Sequence, residues 1–199
     1  MVAVIEAPEH QTLLMQQTFR AVLTALSEPL RAVSIPALPT PLGTTSALWA
    51  MALTLWDQDV SVWWPEADDD HWYNTLFHTR VTRAASIEQA DWVVLSADHP
   101  ETPNRLGLVS IGVDERPDQS ASVLLLASRS RTHVHGAGPG LLHPVEVQLP
   151  LPEAIVDQLM LNHARYPLGF DTYVVFDQAV MGLPRSTRLT WGDETCTSL

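Results

Sequence analysis

The sequence predicts an α/β domain with three layers, in which a mixed sheet is flanked by helices. Segments with helical periodicity alternate with short runs of β-branched and aromatic residues, and the strands cluster late in the chain. A chain of 199 residues with 46% apolar content is long enough to bury one core. No internal repeat or long linker divides it. We therefore predict a single domain over residues 1–199, with residues 1–9 and 192–199 as frayed tails.

The first half predicts three helices and three short strands. The helix His10–Leu26 carries its apolar residues on one face, and Pro29 stops it. The residues Thr44–Ser46 are good N-caps for a second helix, which is apolar nearly all round and should be central. Asp68–Asp70 suit the positive N-terminus of a third helix, His71–His78. The strands are Arg31–Ile35, Val60–Trp64 and Asp91–Ser96.

The second half predicts more strands and one helix. Residues 97–122 are polar and rich in Pro, Asp and Gly, as in a variable surface loop. We expect the strand Arg131–His135 to pair with the buried-type strand Val123–Ala127. A last helix, Glu153–Ala164, has Pro152 at its first position. The remaining strands are Val145–Leu149 and a closing hairpin with arms Thr172–Phe176 and Val180–Met181.

The charged residues exclude several functions. The net charge is -12, and no basic stripe is present that could neutralise nucleic-acid phosphates. All 11 basic residues are arginine. Without lysine the chain cannot form a Schiff base with pyridoxal phosphate or a Walker-type phosphate loop. We expect no nucleic-acid partner and no cofactor.

Cysteine and hydropathy indicate the compartment. Cys196 is the single cysteine, so the chain has no internal disulfide and cannot hold an iron–sulfur cluster alone. No basic segment precedes an apolar core at residues 1–9, so we expect no signal peptide. The apolar run Ala47–Trp56 is about half the length of a bilayer span. The sequence predicts a cytoplasmic protein with no membrane contact.

The end of the closing hairpin is a candidate anion site. It places Arg185, Ser186 and Thr187 directly after Pro184. Arginine with neighbouring hydroxyls can hold phosphate or carboxylate oxygens. The alternative is an ordinary hairpin end with a solvated arginine.

A glycine-rich run is a second candidate element. The run Gly136-Ala137-Gly138-Pro139-Gly140 lacks the spacing of a dinucleotide fingerprint, and Pro139 removes a backbone donor. It predicts a tight turn, although Gly136 and Gly138 could also let a phosphoryl ligand approach closely. His78 could act as an acid–base group, or it could cap the end of its helix.

Metal and triad chemistry have little support. His133 and His135 share one face of a strand and His143 is nearby, but no carboxylate lies at ligand spacing. No serine or threonine lies in a nucleophile-elbow sequence. We predict no metal site and assign no catalytic residue.

Several segments, in order, resemble one known family. They are Phe19-Arg20-x-Val22-Leu23-x-Ala25-Leu26-Ser27-Glu28-Pro29, Thr44-Thr45-Ser46-Ala47-Leu48, Asp57-Gln58-Asp59-Val60, Phe77-His78-Thr79, Gly136-Ala137-Gly138, Tyr166-Pro167-Leu168-Gly169-Phe170-Asp171 and Leu183-Pro184-Arg185-Ser186-Thr187. Together they span about residues 15–190 and resemble the H subunit of the bacterial carbon–phosphorus lyase core complex, the PhnH family.

This resemblance implies a role in organic phosphonate catabolism. The core complex supports displacement of adenine from a purine nucleoside triphosphate by an alkylphosphonate, which is thereby joined to the ribose C1. The H subunit is similar in fold to pyridoxal-phosphate-dependent transferases but lacks the cofactor. It is a homodimer when isolated, has the G, I and J subunits as partners, and has no catalytic role of its own.

Three functional hypotheses remain. In the first, the chain is a non-catalytic assembly subunit that docks through an exposed apolar patch, for which Trp63-Trp64-Pro65 is a candidate. In the second, it is an active subunit that holds phosphate with Arg185–Thr187 and the Gly136–Gly140 turn, with His78 near. The third is a stand-alone α/β enzyme, although we expect no activity of the chain alone.

Overall fold

The computed structural model describes residues 4–41 and 43–192, which form five α-helices and ten strands. The helices are α1 Gln11–Ser27, α2 Ser46–Leu55, α3 Asp69–Thr79, α4 Thr102–Leu106 and α5 Glu153–His163. The strands are β1 Ala32–Ser34, β2 Ser61–Trp63, β3 Thr82–Arg83, β4 Trp92–Ser96, β5 Ser122–Leu126, β6 Thr132–Ala137, β7 Val145–Leu149, β8 Asp171–Val175, β9 Ala179–Leu183 and β10 Arg188–Trp191.

A seven-stranded mixed sheet forms the centre of the fold. Its strand order is β1-β9-β8-β5-β4-β2-β3, and β9 runs antiparallel to both of its neighbours. The ladders from β8 to β3 are all parallel, with Val93 opposite Val123 and Val123 opposite Thr172 in the middle. Strands covered on both faces read as continuous apolar runs, as β4 and β5 do. The predicted α/β architecture with a mixed sheet is confirmed.

Helices α1, α2 and α3 cover one face of the sheet and enclose the first core. Helix α2 is buried from Ser46 to Leu53, as its all-round apolar sequence predicts, and the Thr45 hydroxyl caps it by accepting from the Leu48 amide. Helix α1 lies against β9 at Gly182, where an added Cβ would lie 2.2 Å from the Ala25 carbonyl oxygen. Only a residue without a side chain permits this approach.

The second core lies on the opposite face, under α4, α5 and a small antiparallel sheet of order β10-β6-β7. Asn162 of α5 fixes the chain before β8, because its side chain donates to the Phe170 carbonyl at 2.8 Å and accepts from the Phe170 amide at 3.0 Å. Pro152 is the N-cap of α5 and not its first helical residue. Layered packing on both faces thus comes from helices on one side and from helices with strands on the other.

The predicted pairing of Arg131–His135 with Val123–Ala127 is wrong. Strand β6 pairs with β7 and β10, placing Val134 opposite Val147 and His135 opposite Thr190. Both edges of β5 are already occupied, by β4 and β8. The chain after β5 therefore leaves the large sheet and starts a second one.

Two further expectations need correction. Residues 97–122 are more than a surface loop, because they contain α4, a 3₁₀ turn at Pro117–Gln119 and the buried residues Leu106 and Val109 of the second core. The Trp63-Trp64-Pro65 patch is not an exposed aromatic surface. Trp64 is buried among Trp56 and Trp72, with ring centroids 6.5 and 6.2 Å away.

The ends of the described chain differ. Ile5 is tied to α3 at both backbone groups, since its amide donates to Asn74 Oδ1 and its carbonyl contacts His78 Nε2, each at 2.9 Å. Cys196 lies outside the described residues. Of the helices described, none combines the length and apolar character needed to cross a bilayer.

Candidate functional site

Arg185 lies just past β9 and turns back onto the start of β8. Its Nη2 and Nε donate to the Asp171 carboxylate at 2.8 and 3.2 Å, and its backbone amide donates to the same group at 2.8 Å. Nη1 donates to the Pro117 carbonyl at 2.9 Å, and Nη2 also donates to the Ser120 hydroxyl at 2.6 Å. The guanidinium therefore joins the hairpin to the segment that enters β5.

These contacts leave little capacity for a ligand. A guanidinium has about five N–H donors, and four side-chain hydrogen bonds within the chain already use most of them. The Arg185 and Asp171 side chains are only 16% and 28% exposed. A bound anion would have to compete with Asp171 for the same donors. The geometry favours a structural ion pair over a solvated arginine, and anion binding here stays a prediction.

The adjacent hydroxyls meet the glycine-rich run. The Thr187 amide donates to the Pro184 carbonyl at 2.8 Å, which closes a turn. Gly138 has φ +138° and backs onto this turn, so that an added Cβ would lie 2.8 Å from the Ser186 carbonyl oxygen. The structure brings Gly138, Ser186 and Thr187 together, as the sequence hypothesis needs. The close approach is one of backbone to backbone.

Gly136 and His78 lie elsewhere. Gly136 is in β6 opposite Leu189, where an added Cβ would clash with Leu30. His78 is in the last turn of α3, and its ring meets Trp49 edge-on with centroids 5.6 Å apart. The Arg185 backbone contacts α5, whereas His78 is in α3. Because these two helices lie on opposite faces of the large sheet, His78 and the Arg185 network are not brought into one site.

The histidines of β6 form local pairs. The His133 and His135 ring centroids are 5.8 Å apart, and His133 Nε2 lies 2.5 Å from Glu146 Oε1 on β7. His135 Nε2 contacts the Gly192 carbonyl at 2.9 Å. Within residues 4–41 and 43–192, no group of three His, Cys, Asp or Glu side chains is arranged to hold a metal ion.

Sequence reasoning missed a polar crevice at the carboxyl edge of the parallel strands. Ligands of open α/β sheets bind at this edge, where successive connections leave to opposite faces. Strand β2 leads to α3 on one face and β4 leads to α4 on the other. There Arg105 of α4 forms an ion pair with Glu66 and lies 5.5 Å from the Trp63 ring. The signal in the sequence was the polar Asp98, two residues after the end of β4.

This crevice holds paired charges and not an evident catalytic set. The Ser128 hydroxyl donates to Asp98, and the Ser130 amide donates to Ser128 at 2.8 Å. The Glu101 amide donates a hydrogen bond to His99 Nδ1 at 3.2 Å. A cavity of about 290 Å³ lies beside Asp98, His99 and Ser130. Its other lining residues are apolar, and these contacts show no nucleophile held by a base.

The pKa shifts of Tyr173 and Asp68 have structural causes. Burial raises the pKa of Tyr173 above its usual range, with a further contribution from the charge of Asp171, and its ring stacks on Trp92 at 6.2 Å. The His71 amide holds the pKa of Asp68 below its usual value by hydrogen bonding to the carboxylate that caps α3. Both shifts thus follow from burial, a neighbouring charge or helix capping, and neither by itself indicates a catalytic group.

Comparisons with known proteins agree with the family resemblance. The family model described as bacterial phosphonate metabolism protein (PhnH) matches residues 7–190. A candidate C–P lyase subunit, HtxG of Stutzerimonas stutzeri, is 31% identical over 189 residues, covering 92% of this chain and 87% of that protein. Subunit PhnH of α-D-ribose 1-methylphosphonate 5-triphosphate synthase from Rhizobium meliloti (strain 1021) is 29% identical over 186 residues, covering 87% and 89%. The predicted resemblance is confirmed, and the chain belongs to the PhnH family of bacterial phosphonate metabolism proteins.

Proposed function

We propose that this chain is the H-type subunit of a carbon–phosphorus lyase core complex and contributes to assembly without supplying reacting groups. The complex would transfer an alkylphosphonate to the ribose C1 of a purine nucleoside triphosphate. The observation that carries the proposal is the family match over residues 7–190, together with the names of two relatives that align over most of their own lengths.

The state of the candidate site supports a non-catalytic role. Arg185 is the strongest anion-binding candidate in the sequence. Its N–H groups already donate hydrogen bonds to Asp171, Pro117 and Ser120. His78 is held between Ile5 and Trp49 on the other face of the sheet. Neither residue has the free, convergent geometry that acid–base or oxyanion chemistry requires.

The fold is proposed to be a pyridoxal-phosphate-transferase type that works without the cofactor. A parallel ladder with the single antiparallel strand β9, covered on both faces, supports this relationship. The cofactor would not fit the residues present, because the aldimine needs a lysine amine and all 11 basic residues are arginine. A superposition on experimentally determined transferases would test the relationship.

The proposed partners are the G, I and J subunits of the core complex, in the cytoplasm, with a homodimer when the chain is isolated. The outer surface has the means for association, since Phe77, Leu161 and Tyr166 are 61%, 55% and 59% exposed. Exposed apolar side chains that lie together, as Phe77 does with Tyr73 and Leu76 on α3, commonly mark protein interfaces.

A second candidate function keeps the chain as an active subunit that binds phosphate through Arg185, Ser186 and Thr187, with the turn at Gly138 that follows β6. One observation favours it. The Thr187 hydroxyl is buried and has no hydrogen-bond partner within the described residues. A buried hydroxyl without a partner is a destabilising feature that a ligand oxygen could relieve.

Co-expression tests the proposal and separates the two candidates. A tagged chain is expressed with untagged G, I and J subunits, and we expect it to retain them. Because Arg185→Ala also breaks the ion pair with Asp171, circular dichroism first establishes that the variant is folded. The folded variant should then give a complex with near-normal phosphonate turnover if the role is assembly, and an intact but inactive complex if Arg185 binds substrate. Arg188→Ala, an exposed arginine on β10, is the control. A chain that elutes alone while the other three subunits assemble contradicts the proposal.

A further inference from the structure

We propose that the outer face of α3 is a two-fold interface on which a second copy of this chain docks antiparallel. The residues of this α3 face are Asp69, Asp70, Tyr73, Leu76, Phe77 and Arg80. The inference rests on the homodimer of the proposed function, and it adds which surface forms that dimer and how the two copies are oriented.

The middle of the α3 face is apolar although it points to solvent. Tyr73, Leu76 and Phe77 are 48%, 37% and 61% exposed, and their spacing of three and four residues places them on one stripe. The opposite side of the helix already anchors it, since Trp72 and Thr75 are 6% and 1% exposed. The stripe is therefore not needed to attach α3 to its own core, and an aromatic-rich stripe is typical of interface centres.

The charges at the two ends of the α3 face have opposite signs and are not paired with other side chains among the described residues. Asp69 and Asp70 are in the first turn, and Arg80 is the C-cap about 15 Å away along the helix. Within the part of the chain that the structure describes, no side-chain hydrogen bond or ion pair engages these three groups. By contrast Asp68, next to them, is bonded to His71.

This order of charges is self-complementary. In an antiparallel pair centred between Asn74 and Thr75, Asp69 of each copy faces Arg80 of the other, and Tyr73 faces Leu76. Both pairs share that midpoint, so one two-fold axis satisfies the charges and the apolar stripe together. A second copy is thus the occupant that the face itself specifies.

The backbone at Arg80 shows how α3 ends at the basic end of the face. Arg80 adopts φ 60° and ψ 17°, the left-handed region that usually favours glycine at the end of a helix. Arginine is strained there relative to glycine. A cation at a helix C-terminus complements the helix dipole, and an ion pair with a second copy would add to that stabilisation.

Charge-swapped variants of the full-length chain test the interface by sedimentation equilibrium. Arg80→Glu places like charges at both ends of the pair, as does the double variant Asp69→Arg with Asp70→Arg. Each alone should raise the dimer dissociation constant by about tenfold or more. An equimolar mixture of the two variants should restore dimers, because both ends of the mixed pair then carry opposite charges. Arg20→Glu, an exposed arginine of α1, is the matched control and should change nothing.

Several results would overturn the inference. One is that both variants remain dimers, and another is that each dissociates while their mixture stays monomeric. A third is that the variants dimerise normally but lose a core subunit, which would assign the α3 face to a different protein. A wild-type chain that is monomeric yet co-purifies with the core subunits overturns this inference and leaves the proposed function standing. If the mixed variants form dimers that bind no core subunit, the proposed function is overturned and this inference stands. Restoration in the mixture also shows that both variants are folded.

Discussion

Arg185 and Arg80 each follow the end of a secondary-structure element, and each belongs to a group of residues that includes aspartate. Arg185 has its partners inside the chain, where Asp171, Pro117 and Ser120 use its donors. Arg80 is exposed at the end of the α3 face and has no such partner among the described residues. This difference shows that an arginine near acidic residues does not by itself identify a ligand site. Where the charge is satisfied it holds the fold, and where it is left open it is available to another chain.

The largest expected effect is on the free energy of unfolding, which substitution of Arg185 should lower much more than substitution of Arg80. Arg185→Met leaves the partly buried Asp171 carboxylate without its cation and should lower the free energy of unfolding by about 3 kcal/mol, the lower end for a broken buried pair. Arg80→Met should change it by less than about 0.5 kcal/mol, as is usual for an exposed side chain. Urea denaturation, at a concentration that keeps the chain monomeric, measures both. Equal effects of the two substitutions would remove the distinction.

A smaller effect should follow from disturbing the turn behind Arg185. Gly138→Ala puts a Cβ 2.8 Å from the Ser186 carbonyl oxygen at φ +138°, and we expect a loss of about 1–3 kcal/mol. Gly107→Ala is the matched control because Gly107 has a helical φ of −65°, and its effect should be near zero. Thermal unfolding of the two variants provides the measurement. If Gly138→Ala is as stable as the wild type, the turn is looser than the structure indicates, and the ligand hypothesis for it gains support.

The smallest expected effect is the difference in stability between a substitution of Asp68 and one of its neighbour Asp69. Asp68 caps α3 through the His71 amide, which holds the carboxyl pKa below the usual 3.8, so its charged form stabilises the fold. This contribution is present above about pH 4 and is lost as the pH falls through the lowered pKa.

Asp68→Ala should therefore lower the urea midpoint at pH 7 and flatten its decline in acid. Asp69→Ala should affect stability less and dimerisation more. Urea titrations at pH 3 and pH 7 compare the two variants. A larger stability loss for Asp69→Ala would show that its charge serves the fold, contrary to the α3 interface.

The local elements could be predicted from sequence, and the long-range partners could not. The N-caps Thr45 and Asp68, the fully buried α2 and the apolar strands β4 and β5 all follow from adjacent residues. The ion pair of Arg185 depends on contacts up to 68 residues away in sequence, which no local pattern contains. The wrong pairing of β6 has the same cause, because the edge of β5 that β4 leaves open is taken by β8, far along the chain. For the same reason, the sequence showed an arginine beside hydroxyls but not the carboxylate that neutralises it.

Phosphonate turnover by the purified chain alone, compared with the assembled complex that contains it, is the most direct test of a role in assembly. The account predicts no turnover by the isolated chain, turnover by the complex, and a loss of turnover when this subunit is left out of the reconstitution. Formation of a ribose 1-alkylphosphonate product by the isolated chain would contradict it.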